Sequence, residues 1–201
     1  PCWGGGDADE VEDAERAVSR TVLDRDRLVS MDDYREVTRR TPGVNLGRVE
    51  TLPLFDPTQP AVPEMPGVVT MLVIPAGEVN EWPRPDAFFL EAVCDHLQPR
   101  RLVTTELHVR GPAYLDLWVS AGIEVLGGYD LEPVREAVEL ELSRFLSPLY
   151  GGHQGAGWPL NVSVRQQELE AVVARVAGVR LVSGLLLGTV DTDDLAEVTI
   201  A

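Results

Sequence analysis

A glycine- and proline-rich stretch at residues 145–159 constrains the fold of this chain more than any other segment. It reads Phe-Leu-Ser-Pro-Leu-Tyr-Gly-Gly-His-Gln-Gly-Ala-Gly-Trp-Pro and follows an amphipathic helical pattern. Such a composition is typical of a flexible linker, but two large aromatic residues lie within it, and aromatic side chains of this size need packing partners. We therefore predict a structured loop. Its anchors are Tyr150, Gly151, Gly152, Gly157, Trp158 and Pro159.

Length and charge limit the classes of function. The 201 residues are 44% hydrophobic, which is enough for one large domain or two small ones, and there is no apolar run of the roughly 20 residues that a membrane helix needs. Lys and Arg number 17 against 33 Asp and Glu, so the net charge of −16 argues against a nucleic-acid partner. Cys2 and Cys94 are too few for a disulfide framework. We expect cytoplasmic synthesis, and we expect the chain to be the remainder of a longer polypeptide because it lacks an initiator Met.

Helix and strand patterns alternate through the first half of the chain. After a Gly4-Gly5-Gly6 hinge, residues 7–20 form a weakly amphipathic helix. Ser30 and Asp33 have the spacing of a capping box, so a second helix is predicted to begin there and to end at Pro42-Gly43. Strands are predicted at 44–54, 68–74 and 105–110, with a helix capped by Asp86 before the third.

The second half has the clearest alternation. Residues 115–125 place Leu115 and every second residue after it on one face of a strand. Asp130 is expected to cap the next helix, and Ser163 with Gln166 reads as a second capping box before a further helix and a strand at 180–187. The order of capped helix, Gly-Val and strand therefore occurs twice, at 30–52 and 163–187.

These patterns predict an α+β protein with two small α/β sandwich modules, mixed or antiparallel sheets, and helices packed on one face of each sheet. The expected boundaries are a linker and N-terminal helix at 1–29, a first module at 30–111, a second at 112–189 and an acidic tail at 190–201. Gly111-Pro112 marks the join between the modules.

Residues that could carry chemistry do not form a known catalytic or metal-binding pattern. His96, His108 and His153 lack the spacings that metal sites use. The loop at 151–157 lacks the Gly-Lys-Ser/Thr ending of a phosphate-binding loop and follows a helix. Further candidates are Ser143 and Ser147, which lack a nucleophile elbow, and Asp191, Asp193 and Asp194, which lack the Gly and Glu of a calcium loop. We predict no enzyme activity, cofactor or metal.

Aromatic residues supply the candidate contacts with other proteins. Tyr114 and Trp118 are expected on the outer face of the 115–125 strand, and Trp82 lies in a proline-rich connection. Exposed aromatics tend to mark interfaces. The alternative is that a helix of the same chain covers them, because sheets of this kind are often covered on both faces.

Three segments, taken in order, resemble the baseplate J-like family, whose members are wedge proteins of contractile phage tails and bacterial contractile injection systems. The first is Arg-Leu-Val-Ser-Met-Asp-Asp-Tyr at 27–34 leading to Thr-Pro-Gly-Val at 41–44. The second is Pro-Arg-Arg-Leu-Val-Thr at 99–104 before Gly111-Pro112. The third is Phe-Leu-Ser-Pro at 145–148 with the glycines and Trp158-Pro159, followed by Gly178-Val179. The resemblance covers roughly residues 5–188.

The resemblance implies a structural role in the ring that links the central spike hub to the sheath and to neighbouring wedges. It implies partners among other wedge proteins, the hub and the sheath, with a second copy or a paralogue in each wedge. It also implies that this chain is the carboxyl-terminal part of its protein. The proline-rich segment 53–66 departs from the family pattern, and we interpret it as a contact loop.

Two other hypotheses stay open on the sequence. One is an acidic adaptor domain that binds a basic protein. The other is a small-molecule enzyme that uses the 151–158 loop and His153. The baseplate hypothesis requires the chain to co-sediment with sheath and tube proteins in pelleted particles, which distinguishes it from these alternatives.

Overall fold

A computed structural model describes residues 27–78 and 82–189. The described residues divide into two compact units, one formed by 27–76 with 83–112 and the other by 77–78 and 82 with 113–189. Each unit contains helices and one small sheet, which confirms the predicted α+β class. The predicted hinge at Gly4-Gly5-Gly6, the helix at 7–20 and the acidic tail at 190–201 lie outside the described residues.

The first unit combines two helices with a three-stranded sheet. Its helices are α1 (Met31–Arg39) and α2 (Ala87–Leu97), and a 3-10 turn follows at Gln98–Arg100. Its strands are β1 (Leu46–Pro53), β2 (Val68–Pro75) and β3 (Glu106–Arg110). β2 lies in the centre, antiparallel to β1 and parallel to β3, so the sheet is mixed. The continuous apolar run that predicted a strand buried on both faces is this central strand.

The helices and one face of this sheet enclose the core of the first unit. Alternate residues of β2 point into that core, and Leu28 lies in it too, fully buried, with its N–H donating to the carbonyl of Arg100 at 2.9 Å. The buried members are Leu28, Tyr34, Val37, Val49, Met71, Val73, Val93 and Leu97.

The proline-rich segment folds back onto the other face of the same sheet. Thr70 is fully buried, and its hydroxyl donates to the carbonyl of Phe55 at 2.6 Å. The N–H of Leu54 extends the sheet by donating to the carbonyl of Val68 at 2.8 Å. This segment therefore covers β2 on the side opposite the helices.

The second unit has two helices on a two-stranded sheet. The strands are β4 (Leu117–Val125) and β5 (Val179–Thr189), which are antiparallel, and the helices are α3 (Leu131–Leu146) and α4 (Gln166–Val173). The buried members of its core are Val138, Val164, Leu169, Val173 and Leu185. Inward residues of β4, such as Val119 and Ile123, pack against them.

The structure corrects three details of the second unit. β4 begins at Leu117, opposite Thr189, so Leu115 precedes the paired strands and is 67% exposed instead of facing the core. Asp130 occupies the N-cap position of α3, but its side chain makes no capping hydrogen bond. The predicted capping box of Ser163 and Gln166 is wrong, because Arg165 is the N-cap residue.

Helix α4 starts later than the capping-box spacing implies. Arg165 is its N-cap residue, and Gln166, its first helical residue, donates through its side-chain amide to Glu170 at 2.9 Å. The helix, glycine and strand pattern nevertheless occurs twice: Gly43 follows α1 and Gly178 follows α4, both with positive φ. The repeated pattern holds for the turns and not for the caps.

The capping box of α1 is formed as predicted. The Asp33 N–H donates to Ser30 Oγ at 3.2 Å, and the Ser30 N–H donates to Asp33 Oδ2 at 2.6 Å. Partial burial acts to raise the pKa of Asp33, but hydrogen bonds from Ser30 and from the Val29 N–H outweigh it and lower this pKa overall. The carboxylate therefore stays ionised at neutral pH and completes the cap.

We predict that Ser30→Ala lowers the free energy of unfolding by about 1 kcal/mol, because the helix loses a capping acceptor. Ser163→Ala is the matched control and should change that free energy by less than about 0.5 kcal/mol, since Ser163 caps nothing. Urea unfolding of both variants at pH 7 measures the difference. Equal effects of the two substitutions would contradict this account of the caps.

Candidate functional site

Ser147 organises the glycine-rich loop. It is fully buried at the C-cap of α3, and its carbonyl accepts the N–H groups of Gly151 at 3.0 Å and Trp158 at 2.9 Å. Its hydroxyl oxygen accepts the N–H groups of Leu149 and Tyr150, both at 3.3 Å. One residue thus ties both ends of the loop together. On the sequence alone Ser147 is only a candidate nucleophile without a nucleophile elbow, and this structural role is not visible there.

The predicted glycine anchors have separate physical reasons. A Cβ on Gly151 would clash with the carbonyl oxygen of Phe145 and would lie 2.5 Å from that of Ser147, so only glycine fits there. Gly152 and Gly157 have φ values of 74° and 94°, in the left-handed region that favours glycine. The loop is structured because close backbone packing and left-handed turns define its path.

Trp158 anchors the loop to the core of the second unit. Its half-buried indole packs against that core and meets the Phe145 ring edge to face, with centroids 5.4 Å apart. Its Nε1–H donates to the carbonyl of Val162 at 3.0 Å. Pro159, the last predicted anchor, is exposed.

Tyr150 differs from the expectation of a packed aromatic. Its side chain is 45% exposed, and its hydroxyl donates to the carbonyl of Gly77 at 2.9 Å. The ring therefore holds a distant part of the chain through one hydrogen bond. It does not fill a core position.

The loop does not present the array of free N–H groups that a phosphate cradle uses. The N–H groups of Gly151, Gly152, Gly155, Gly157 and Trp158 all donate to carbonyls within residues 145–152. The loop also follows the carboxyl end of α3, where the helix dipole is negative and disfavours anions. The geometry is that of a helix-capping connector.

The three histidines lie in separate environments. His153 is exposed in the loop, 3.5 Å from Glu168, with its ring 5.4 Å from Phe145. His96 lies in α2. Within residues 27–78 and 82–189, no group of three His, Cys, Asp or Glu side chains is arranged to hold a metal ion.

His108 has two acidic neighbours. Its buried Nε2 lies 3.2 Å from Glu106 Oε1 and 3.8 Å from Asp56 Oδ1, without hydrogen-bond geometry to either. The Thr58 hydroxyl and N–H both donate to Asp56 Oδ1 at 2.7 Å and hold the pKa of Asp56 below its usual value. The Asp-Pro-Thr sequence at 56–58 is typical of such an Asx turn. This cluster fixes the proline-rich segment near β3.

The aromatic contact candidates occupy two places in the second unit. Trp82 and Tyr114 meet edge to face with ring centroids 6.1 Å apart, and Trp82 is 50% exposed. Trp118 is half-buried, and a Cβ on its partner Gly188 would lie 2.5 Å from the indole Nε1. The Trp118 ring therefore lies over Gly188 on the outer face of the sheet.

The outer face of the β4–β5 sheet is apolar over much of its area. Leu181 and Leu186 of β5 are 50% and 55% exposed, opposite Glu124 and Ser120 of β4. With Trp118 they form what we call the outer apolar face. None of the helices in the described part of the chain has a transmembrane length combined with a sufficiently apolar composition.

Comparisons with known proteins show what this fold is similar to. No family model matches the sequence, and no curated protein matches it. Among solved structures, the fold is similar to a chain in the six-fold symmetrised cryo-EM structure of the anti-feeding prophage baseplate, with a TM-score of 0.63 and 18% sequence identity. The match covers 92% of this chain and 39% of that one, so the chain spans about two fifths of the length of its structural neighbour.

We predict that Gly151→Ala lowers the free energy of unfolding by about 1–3 kcal/mol, because the new Cβ overlaps the carbonyl oxygens of Phe145 and Ser147 at the carboxyl end of α3. Gly184→Ala is the matched control in β5: it has no atom within 4 Å of an added Cβ and no positive φ, so no loss is expected. Thermal and urea unfolding test both variants. A Gly151→Ala chain as stable as the wild type would contradict the role assigned to this loop.

Proposed function

We propose that this chain is a structural component of the baseplate of a contractile injection system or contractile phage tail. In this role it binds other proteins of the particle and catalyses no reaction. The proposal places the protein in an assembled particle after its synthesis in the cytoplasm.

The observation that carries the proposal is the likeness to a baseplate chain over 92% of the present chain, which includes both units. The sequence supports the proposal independently, because the ordered segments that resemble the baseplate J-like family also lie in both units. The Trp158 loop, the third of these segments, serves to cap a helix, which fits a structural protein.

Within the baseplate, we assign the chain to a wedge. The resemblance to the baseplate J-like family supports this position, with the spike hub, the sheath and neighbouring wedge proteins as partners. A second copy or a paralogue would complete each wedge. The modules at 30–111 and 112–189 would then supply separate contact surfaces.

We assign the binding of partners to the outer apolar face and to the Trp82–Tyr114 pair. Leu181, Leu186 and Trp82 are each at least half exposed, and the outer face carries Trp118 beside them. Apolar patches of this kind are typical of protein interfaces. Aromatic residues within them often contribute most of the binding free energy.

The two alternatives predict different partners. An enzyme that bound a phosphate group through the backbone of the 151–158 loop would need free donors there, yet five of the loop N–H groups are already engaged. An acidic adaptor is compatible with the net charge of −16, but it would bind a basic protein without belonging to a particle. Sedimentation therefore distinguishes the proposals.

We expect the chain to co-sediment with sheath and tube proteins when particles are pelleted from a lysate of its source cells. Mass spectrometry of the pellet measures this, and a deletion of the sheath gene is the control for non-specific pelleting. A chain found only in the supernatant, or bound only to a basic protein, would refute the baseplate proposal.

We predict that Trp118→Asp yields a folded chain that enters the particle poorly, since a carboxylate on the outer apolar face loses its hydration on binding. Phe88→Asp is the control: Phe88 is 82% exposed on α2 in the other unit, outside the proposed surfaces. Circular dichroism checks folding, and the amount of chain per pelleted particle measures incorporation. Equal incorporation of both variants would remove Trp118 from the interface.

A further inference from the structure

Strand β5 has an open edge. It pairs with β4 on one side, and the sheet of the second unit has two strands. In the described part of the chain, the N–H of Val179, which donates to the carbonyl of Val176 at 3.2 Å, makes the one backbone hydrogen bond from β5 to a residue outside the sheet. Within residues 27–78 and 82–189, the outward backbone groups along the rest of the strand pair with no other strand, so we expect them to accept one.

The features that usually protect such an edge lie in the first half of β5, where Arg180 carries a charge and the pairing with β4 has two register shifts, whereas residues 184–189 have neither. Natural edge strands are short, carry charges or proline, or are covered. β5 has 11 residues, and residues 181–187, Leu-Val-Ser-Gly-Leu-Leu-Leu, contain neither a charge nor a proline. A segment of this composition aggregates when it stays exposed. It is typical of an edge that another strand covers.

Charge indicates the chemistry of that strand. The two strands of the sheet carry one acidic and one basic residue, Glu124 and Arg180, whose side chains lie 3.4 Å apart. The sheet is thus neutral within a chain of net charge −16. An uncharged segment can approach it without burying an unpaired charge, whereas a charged segment would find no partner for that charge.

The exposed side chains of β5 add a requirement for apolar residues. Leu181 and Leu186 project from the face opposite the core and are half exposed. Side chains of an added strand would stand beside them on the same face, since alternate residues of paired strands share a face.

We propose that the free edge of β5 receives an extended, uncharged and apolar segment of a neighbouring polypeptide, which adds to the sheet as a third strand. Main-chain hydrogen bonds provide the affinity, and the exposed leucines select apolar side chains. This inference deepens the proposed function and rests on it, because the neighbouring polypeptide is a component of the particle. The contact that it adds is made by the backbone edge of β5, in addition to the contact that the outer apolar face makes.

Hydrogen exchange tests the added strand directly. Amides of β5 should exchange at least roughly tenfold more slowly in the assembled particle than in the free chain, because strand addition protects the outward N–H groups. Peptides from β2, the central strand of the first unit, are the internal control and should not change. A chain present in the particle with unchanged β5 exchange would overturn this inference and leave the proposed function standing. A chain missing from the particle would refute the proposed function itself.

Two substitutions at one exposed position separate strand addition from side-chain docking. Leu186→Lys places a charge on the edge and should reduce incorporation into the particle by roughly tenfold or more. Leu186→Thr keeps an uncharged residue with strong strand preference and should lose far less incorporation than Leu186→Lys, since the main-chain hydrogen bonds are unaffected. Leu140→Lys, at a position of α3 that is 50% exposed, is the matched control and should behave as the wild type.

The outcomes are decisive in both directions. Normal incorporation of Leu186→Lys would overturn the inference, and so would a loss with Leu186→Thr as large as with Leu186→Lys, because that result assigns the contact to the leucine side chain. Thermal unfolding of each purified variant establishes that it is folded before its incorporation is compared.

Discussion

The second unit depends on how the carboxyl end of α3 satisfies its backbone. The last carbonyls of a helix have no donors within the helix, and a buried end needs them from elsewhere. Here the Ser147 N–H donates to the carbonyl of Arg144, and the Gly152 N–H donates to the carbonyl of Phe145. Because Ser147 also receives the Trp158 N–H, the chain returns to the helix end before it continues to α4. Gly151 is needed because backbone oxygens occupy the space where its side chain would be, and Gly152 and Gly157 are needed for their positive φ angles.

Much of the fold follows from periodicity and caps in the sequence. The apolar run at 68–74 predicted the central strand, and the Ser30–Asp33 spacing predicted a capping box that the structure forms. The same spacing at Ser163 and Gln166 failed, because a capping box also needs an N-cap residue with extended backbone, and here that residue is Arg165. Spacing identifies side chains that could cap, while the path of the preceding chain decides which residue does.

The candidate site was less accessible to sequence reasoning. The loop anchors Gly151 and Trp158 could be selected because glycine and tryptophan together indicate a packed turn. The exposure of Tyr150 could not, because it depends on a hydrogen bond to Gly77, which is 73 residues away in sequence. Trp118 was assigned correctly to the outer face, but its contact with Gly188 depends on a strand register that alternation alone does not define.

The two units do not coincide with two continuous stretches of sequence. Residues 77–78 and 82 belong with the second unit, and the chain returns to the first unit at Pro83. Cutting the chain at the Gly111-Pro112 join would therefore leave the Gly77 carbonyl without the Tyr150 hydroxyl and Trp82 without Tyr114. Recombination at that join during evolution would remove the same contacts, so we expect the two units to be inherited together and not exchanged singly between proteins.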